Sequence, residues 1–176
     1  PKIDKDAFLY AQMTGWDKLS LIEGPANIYF QGKYMGESKI APQYANDTLD
    51  ISLSRDSRIF INRIKVEDKS ERKILGNDNY EKLTYRITIR NTNQVPVMMN
   101  VEDQVPVSGD ASVKVDVQEN SKAVYDAQSG SLKWRFNLKP SETKEFIVSF
   151  SVQYPKGRTY NMFGGRVSKK RYRSKF

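Results

Sequence analysis

The stretch Leu83–Ser108, LTYRITIRNTNQVPVMMNVEDQVPVS, decides the fold. Apolar residues alternate with polar ones over its first part, with Leu83, Tyr85, Ile87 and Ile89 on one face. After a polar turn over 91–94 the alternation resumes in Val95, Val97, Met99 and Val101. Strict period two is typical of a half-buried antiparallel strand. The stretch therefore predicts two core strands and a corner that ends at Val105-Pro106.

The same alternation recurs on both sides of this stretch. It is found around 7–13, 49–53, 59–66, 113–117, 132–138 and 146–152, and NIYFQGKYMG has the pattern of a hairpin that reverses at Gln31-Gly32. Turn signals such as Ser129-Gly130 separate the runs, and no segment shows a sustained helical period. Short strands spaced by turns are typical of a sandwich. We predict an all-β antiparallel β-sandwich with an immunoglobulin-like or related topology.

Three local expectations are less regular. Leu19 and Leu21 alternate with polar neighbours, which predicts a strand stopped by Gly24-Pro25. The apolar phase slips around Asn62-Arg63, which predicts a bulge or a strand that crosses between sheets. The polar segment 67–82 is expected to be a loop with turn residues at 77–79.

Length and charge suggest how the chain is organised. A chain of 176 residues fits one domain, and we expect a single sandwich over 1–160, the C-terminal part of a longer protein that begins before Pro1. The net charge is +8, and much of it lies in a basic, flexible tail over 161–176. Its cations are candidates for binding anions: Arg166, Lys169, Lys170, Arg171, Arg173 and Lys175. No apolar run in this sequence is long enough to span a membrane, and its first residues, PKIDKDAFLY, lack the pattern of a signal peptide.

The composition argues against most enzyme chemistries. The chain has no cysteine and no histidine, so it lacks disulfides, thiolate or imidazole metal ligands and the commonest general base. Glu102 and Asp103 are adjacent acids, but neighbouring residues on a strand point to opposite faces. We expect Asp103 to bond backbone groups in the corner. The sequence thus predicts a non-enzymatic protein without a cofactor or metal.

Binding candidates are few. Tyr29 and Tyr34 lie near the hairpin tip, and Asp103 and Gln104 lie at the corner, so these four are the candidate partner-binding residues. Trp134 shares strict two-residue spacing with apolar neighbours and is expected in the core. The basic tail predicts at most weak, salt-sensitive binding of nucleic acid without sequence specificity.

Three segments carry a resemblance to a known family. They are LSLIEGPANIYFQGKYMGES after Trp16, the stretch quoted first, and GSLKWRFNLKPSETKEFIVSFSVQYPKGR. In order and spacing they resemble the C-terminal domain of the mucoidy inhibitor A-like family of bacterial proteins, over roughly Phe8 to Arg158. The resemblance implies preceding β and coiled-coil-like segments and a link to an exopolysaccharide or envelope phenotype. It provides no catalytic residue.

The residues favour a non-enzymatic binding or scaffolding module, and the resemblance implies that it belongs to a bacterial cell-envelope protein, periplasmic or extracellular. The expected partners are a protein or an envelope glycan and the N-terminal segments of the same full-length chain. One alternative is an envelope polysaccharide hydrolase that uses two carboxylates brought together in one cleft. The other alternative is non-specific nucleic-acid binding through the tail.

Overall fold

A computed structural model of the chain describes residues 1–30, 32–41 and 48–157. In these ranges the protein is almost entirely β, with two short 3-10 turns, at Trp16–Leu19 and Glu67–Lys69, and no α-helix. No helix in this part of the chain is long and apolar enough to cross a membrane. The strands are β1 (Phe8–Thr14), β2 (Gly24–Phe30), β3 (Lys33–Ile40), β4 (Thr48–Arg55), β5 (Ile59–Lys65), β6 (Glu71–Leu75), β7 (Asp78–Asn91), β8 (Val97–Gln104), β9 (Lys114–Glu119), β10 (Val124–Asp126), β11 (Ser131–Leu138) and β12 (Thr143–Pro155).

Two antiparallel sheets form the sandwich. The larger has the order β5-β7-β12-β9, with β6 paired to the first part of β7, and the smaller has the order β10-β11-β8. Their inward faces bury one core cluster that draws on β5, β7, β8, β11 and β12. The predicted all-β sandwich is confirmed.

The core follows the alternation read from the sequence. Ile87 and Ile89 of β7, Leu132 and Leu138 of β11 and Val148 of β12 are completely buried. Each such side chain contributes about 1.5–3 kcal/mol by leaving water. Burial follows period two in β11 and in the second half of β7, whereas β12 is buried on both faces from Val148 to Val152. The hydrophobic residues still mark the face that turns into the core, because the buried outward residues Thr84, Ser149 and Ser151 are polar.

Trp134 has the predicted core position. Its ring lies 5.2 Å from that of Phe146 across the sandwich. The indole Nε1 donates to the carbonyl oxygens of Asn120 and Ser121, at 3.1 Å each. A buried indole N–H needs such a partner, so Trp134 also anchors the segment between β9 and β10.

Asn91 closes one end of the sandwich. This fully buried side chain places Nδ2 3.0–3.1 Å from the carbonyl oxygens of Val95, Leu138 and Lys139. Its Oδ1 accepts a hydrogen bond from the backbone N–H of Asn93 at 2.8 Å. One amide therefore joins the end of β7 to the connections that enter β8 and leave β11.

The first four strands lie outside this core. β1 pairs with β4, and β2 pairs with β3 in the predicted hairpin, which is confirmed. Among the described residues, the core cluster includes none from β1 through β4. The division into one domain over 1–160 stays a prediction, and the basic tail falls outside the described residues.

Two sequence expectations for the N-terminal half are wrong. Leu19 ends a 3-10 turn rather than lying in a strand, and Gly24-Pro25 begins β2 rather than ending an earlier strand. Proline is compatible with this position because it is the second residue of β2, and β3 is the one strand that pairs with β2 among the described residues; proline in sheets is found at strand starts and edges. The segment 67–82 is also not a loop, since most of it forms the β6–β7 hairpin that turns at Gly76-Asn77.

The phase slip at Asn62-Arg63 has a different cause from the one expected. β5 keeps continuous register with β7 from Ile59 opposite Asn91 to Lys65 opposite Tyr85, without a bulge. Arg63 therefore occupies an inward position, and Ile64 faces outward and is exposed. In the sequence, this charged inward residue looked like a slip in the apolar alternation, because the prediction took every inward side chain to be apolar.

Candidate functional site

Tyr29 and Tyr34 form an exposed aromatic pair on the β2–β3 hairpin. They are register partners, and their ring centroids lie 5.4 Å apart at an interplanar angle of 58°. Their exposed fractions are 67% and 57%, so most of each ring is accessible. The hydroxyl of Tyr34 donates to Oδ1 of Asn27 at 3.3 Å, which restrains its ring. Paired tyrosines with little to lose in side-chain entropy are suited to binding a partner.

Charged and amide groups share this hairpin. Asn27 lies opposite Glu37, and Pro25 lies opposite Lys39, which pairs with Glu23 at 2.6 Å. A register shift between Ile28 and Tyr29 brings the two tyrosines opposite each other. The hairpin surface thus combines aromatic, amide and charged groups, as the centres and rims of binding surfaces do.

Of the two candidate residues at the corner, Asp103 is buried and Gln104 is exposed. The Asp103 side chain has no exposed area, and its Oδ2 accepts a hydrogen bond from Nε of Arg63 at 2.8 Å. Its Oδ1 accepts from the backbone N–H of Gln104, also at 2.8 Å, which is the expected backbone bond. Only Gln104 of the two reaches the surface, and its amide donates to the carbonyl of Ser129 at 2.9 Å.

Gly130 holds this corner closed. Val105, completely buried, donates its N–H to the carbonyl of Gly130 at 2.9 Å, and Gly130 has a φ of 71°. A Cβ on Gly130 would lie 2.3 Å from the carbonyl oxygen of Val105. Nearby, the hydroxyl of Ser129 donates to Asp126, and this hydrogen bond lowers the pKa of the Asp126 carboxyl. The corner is therefore a tightly built structural element.

Glu102 and Asp103 lie on opposite faces, as strand geometry requires. Glu102 is exposed and pairs with Lys133 of the neighbouring strand at 3.1 Å. The two acids therefore do not form one carboxylate site. The candidate anion-binding cations, Arg166, Lys169, Lys170, Arg171, Arg173 and Lys175, lie outside the described residues.

A polar groove that the sequence did not reveal runs over the outer face of the larger sheet. It has a volume of about 980 Å³, and its floor includes Thr84 of β7 and Ser149 of β12, whose hydroxyls are 3.0 Å apart. One wall is the turn before β6, where Ser70 Oγ accepts from the N–H of Thr84. The other is Ser121, whose Oγ bonds both the N–H and the carbonyl of Ile147. Each serine hydroxyl thus hydrogen-bonds the strand backbone in place of a neighbouring strand.

Three carboxylates line this polar groove, on Asp68, Glu71 and Glu119. Glu71 pairs with Lys73 at 3.1 Å, and Glu119 accepts a hydrogen bond from the N–H of Ser121 at 2.7 Å. Lys69 and Lys82 also line it. The groove is thus a charged surface of mixed sign, lined by carboxylates from two distant segments of the chain.

A second unpredicted feature, the β1 cleft, separates β1 from the outer face of the smaller sheet. It has a volume of about 640 Å³ and is lined by Phe8 and Tyr10 of β1 and by outward residues of β8, β10 and β11. Asn100 Nδ2 donates to the hydroxyl of Tyr10 and so ties the two sides together. The alternation in β8 and β11 predicts which of their residues face outward, but nothing in the sequence indicated that β1 would lie over them.

Comparison with known proteins gives a family and one distant relative. The family described as "Domain of unknown function (DUF4139)" matches residues 24–156, from the start of β2 to just past the end of the last strand. "Protein F37C4.5" of Caenorhabditis elegans is 22% identical over an aligned length of 172 residues, and the alignment covers 88% of this chain and 30% of that protein. The chain therefore spans about a third of the length of this curated relative. No solved structure matches the chain.

Proposed function

Since this chain belongs to the family of the domain of unknown function DUF4139, we propose that it is a non-enzymatic binding or scaffolding module of a longer protein. The observation that carries this proposal is the exposed pair of Tyr29 and Tyr34 on a hairpin whose described side chains do not belong to the core cluster. Large aromatic side chains left in water gain little of the free energy that burial would give, so a binding role explains their position better than a folding role.

The expected partner is a protein or a glycan. A tyrosine ring packs its apolar face against a sugar ring or a partner side chain, and its hydroxyl bonds at the edge. Asn27 and Glu37 add polar groups beside the pair. Other segments of the same full-length chain are a further partner class, because the curated relative is about three times as long as the matched region.

The finer assignment rests on the sequence resemblance. We propose that the protein is related to mucoidy inhibitor A-like proteins, acts in a bacterial cell envelope, in the periplasm or outside the cell, and affects exopolysaccharide production. Its support is the order and spacing of the three segments quoted above. A deletion strain with altered exopolysaccharide that the wild-type gene restores would agree with this proposal, and a protein found only in the cytosol would contradict it.

The direct test is binding by variants of the 176-residue chain on a glycan array and in pull-downs from an envelope extract. We expect a ligand that wild type and Phe60→Ser retain and that the double variant Tyr29→Ser/Tyr34→Ser loses. Phe60 is a matched control because it is a similarly exposed aromatic on a sandwich strand. Retention by the double variant would show that the hairpin is not the contact.

The hydrolase alternative remains open because distant carboxylates line the polar groove. It predicts that a bound glycan is shortened with time and that Asp68→Asn or Glu119→Gln stops the cleavage. Mass spectrometry of the glycan after incubation decides between the two, since a binding module leaves its length unchanged. Nucleic-acid binding by the tail predicts instead a steep loss of affinity with salt and with deletion of 166–176.

A further inference from the structure

The floor of the β1 cleft is a small array of polar side chains. Strand pairing places Arg135 of β11 opposite Asn100 of β8, and Lys133 opposite Glu102. These four residues alternate with the buried Val101 and Trp134, so they point away from the core. The floor therefore offers two cations, one carboxylate and one amide on adjacent strands.

The charges on this floor are not balanced. Lys133 Nζ lies 3.1 Å from the carboxylate of Glu102, which neutralises it. Arg135 is exposed, and its guanidinium has no ion pair or hydrogen bond with any residue in the described part of the chain. A guanidinium presents a planar set of donors that matches a carboxylate. Arg135 is thus suited to a ligand that carries one negative charge.

The wall of the cleft is aromatic. Phe8 and Tyr10 of β1 are 46% and 37% exposed, so part of each ring is open to the cleft or to water. The Asn100 amide donates to the oxygen of the Tyr10 hydroxyl, which leaves the hydroxyl hydrogen to donate elsewhere. On the other side of the floor, Val124 of β10 adds an apolar edge. A ring-shaped ligand would lie between this wall and the floor.

We infer that the β1 cleft binds an acidic sugar of an oligosaccharide, with its ring against Tyr10 and its carboxylate on Arg135. The volume of about 640 Å³ is within the usual range for small-ligand sites. The ligand must combine a ring with apolar C–H faces, hydroxyls for Asn100 and the Tyr10 hydroxyl, and one negative charge. A sugar that carries a carboxylate has all three features, whereas a neutral sugar leaves Arg135 unpaired.

This site is separate from the hairpin tyrosines, so the two proposals are tested by different variants. Isothermal titration of the 176-residue chain with trigalacturonate, and with galactotriose as the neutral counterpart, measures the role of the carboxylate. We expect saturable binding of trigalacturonate, weakened by salt, and much weaker binding of galactotriose. Benzoate serves as an aromatic carboxylate without sugar hydroxyls and is expected to bind more weakly than trigalacturonate.

Variants assign the binding to this cleft. Arg135→Gln and Tyr10→Ala should each weaken trigalacturonate binding by about tenfold or more, as expected for losing a charged hydrogen bond or a stacked ring. Arg135→Lys should restore part of the loss. Arg90→Gln, at an exposed arginine on the larger sheet, and Tyr29→Ser/Tyr34→Ser should bind as wild type does.

Several outcomes would overturn the inference. Equal affinity for galactotriose or benzoate would remove the acidic sugar as the ligand class. Binding that persists in Arg135→Gln but disappears on deleting 166–176 would assign it to the basic tail. Both interpretations require that Arg135→Gln is folded, which is shown by a circular dichroism spectrum and a thermal unfolding curve like those of wild type. Because Arg135 is exposed, we expect the variant to match wild type in both measurements.

Discussion

Arg63 and Asp103 form a buried ion pair that joins the two sheets of the sandwich. Nε of Arg63 on β5 lies 2.8 Å from Oδ2 of Asp103 on β8, and the exposed fractions of the two side chains are 9% and 0%. The guanidinium carbon also lies 3.7 Å from the ring centroid of Tyr85, so the cation stacks on a core aromatic. Both charges depend on this contact, because neither reaches enough water to be solvated.

Breaking this pair should be costly. Asp103→Ala leaves Arg63 charged and without its partner, and we expect a loss of about 3–5 kcal/mol in the free energy of unfolding. Urea denaturation monitored by tryptophan fluorescence measures it. The exposed pair Lys133–Glu102 is the matched control, and Glu102→Ala should cost about 1 kcal/mol or less. If Arg63→Met/Asp103→Leu is no more stable than Asp103→Ala, the unpaired charge is not the cause.

Gly130→Ala should destabilise the Val105 corner. The new Cβ would lie 2.3 Å from a backbone oxygen, and the φ of 71° is unfavourable for alanine. We expect a loss of about 2–4 kcal/mol, from the left-handed conformation and the steric clash together. Gly76→Ala is the control, because Gly76 has a φ of 58° but a Cβ there would meet no atom within 4 Å among the described residues. Its cost should be only about 1 kcal/mol. Equal losses in the two variants would refute the role of the clash.

Asn91→Ala should also be strongly destabilising. The substitution leaves three carbonyls and the N–H of Asn93 without their side-chain partner in a buried position. We expect a loss of about 2–4 kcal/mol in thermal or urea unfolding. Asn62→Ala, at an exposed position on β5, should change stability by less than about 0.5 kcal/mol.

The stability of the fold should decrease at high pH because of Tyr154. Burial, and then the hydrogen bond and negative charge of Glu81, raise the pKa of the Tyr154 hydroxyl. A raised pKa in the folded state means that the stabilisation is complete below the ordinary tyrosine pKa and is lost as pH rises through the folded value. Unfolding at increasing pH should therefore show a decline that Tyr154→Phe reduces. An identical pH dependence in the variant would contradict this.

The hairpin tyrosines should not matter for folding. Because Tyr29 and Tyr34 lie outside the core cluster and are mostly exposed, the double variant Tyr29→Ser/Tyr34→Ser should change the free energy of unfolding by about 1 kcal/mol or less. Trp134→Ala, by contrast, should cost about 3–5 kcal/mol because it empties a core position and removes an anchor. Calorimetry of both variants measures the contrast, and a large loss in the hairpin variant would show that these residues are structural.

Local patterning predicted most of the strands and little of the candidate sites. The Tyr29–Tyr34 pair was accessible from the sequence because a hairpin brings residues close in sequence together, and the exposure of large aromatics near a tip is expected. The polar groove and the β1 cleft could not be predicted from the sequence. Ser70 meets Thr84, and Ser121 meets Ile147, only after several strands have paired. The local periodicity of apolar residues contains no information about contacts between segments that lie far apart in the chain.

Alternation and turn residues by themselves determined the strand-rich class, the inward faces of β7, β11 and β12 and the turn at Ser129-Gly130. They could do so because side-chain direction in a strand depends only on the position along it. Tertiary structure alone decided that Arg63 turns inward to meet Asp103, and that β1 lies over Asn100 and Arg135. The reason is that charge pairs and clefts depend on which strands become neighbours. That choice depends on the free energy of the whole core rather than on any one segment.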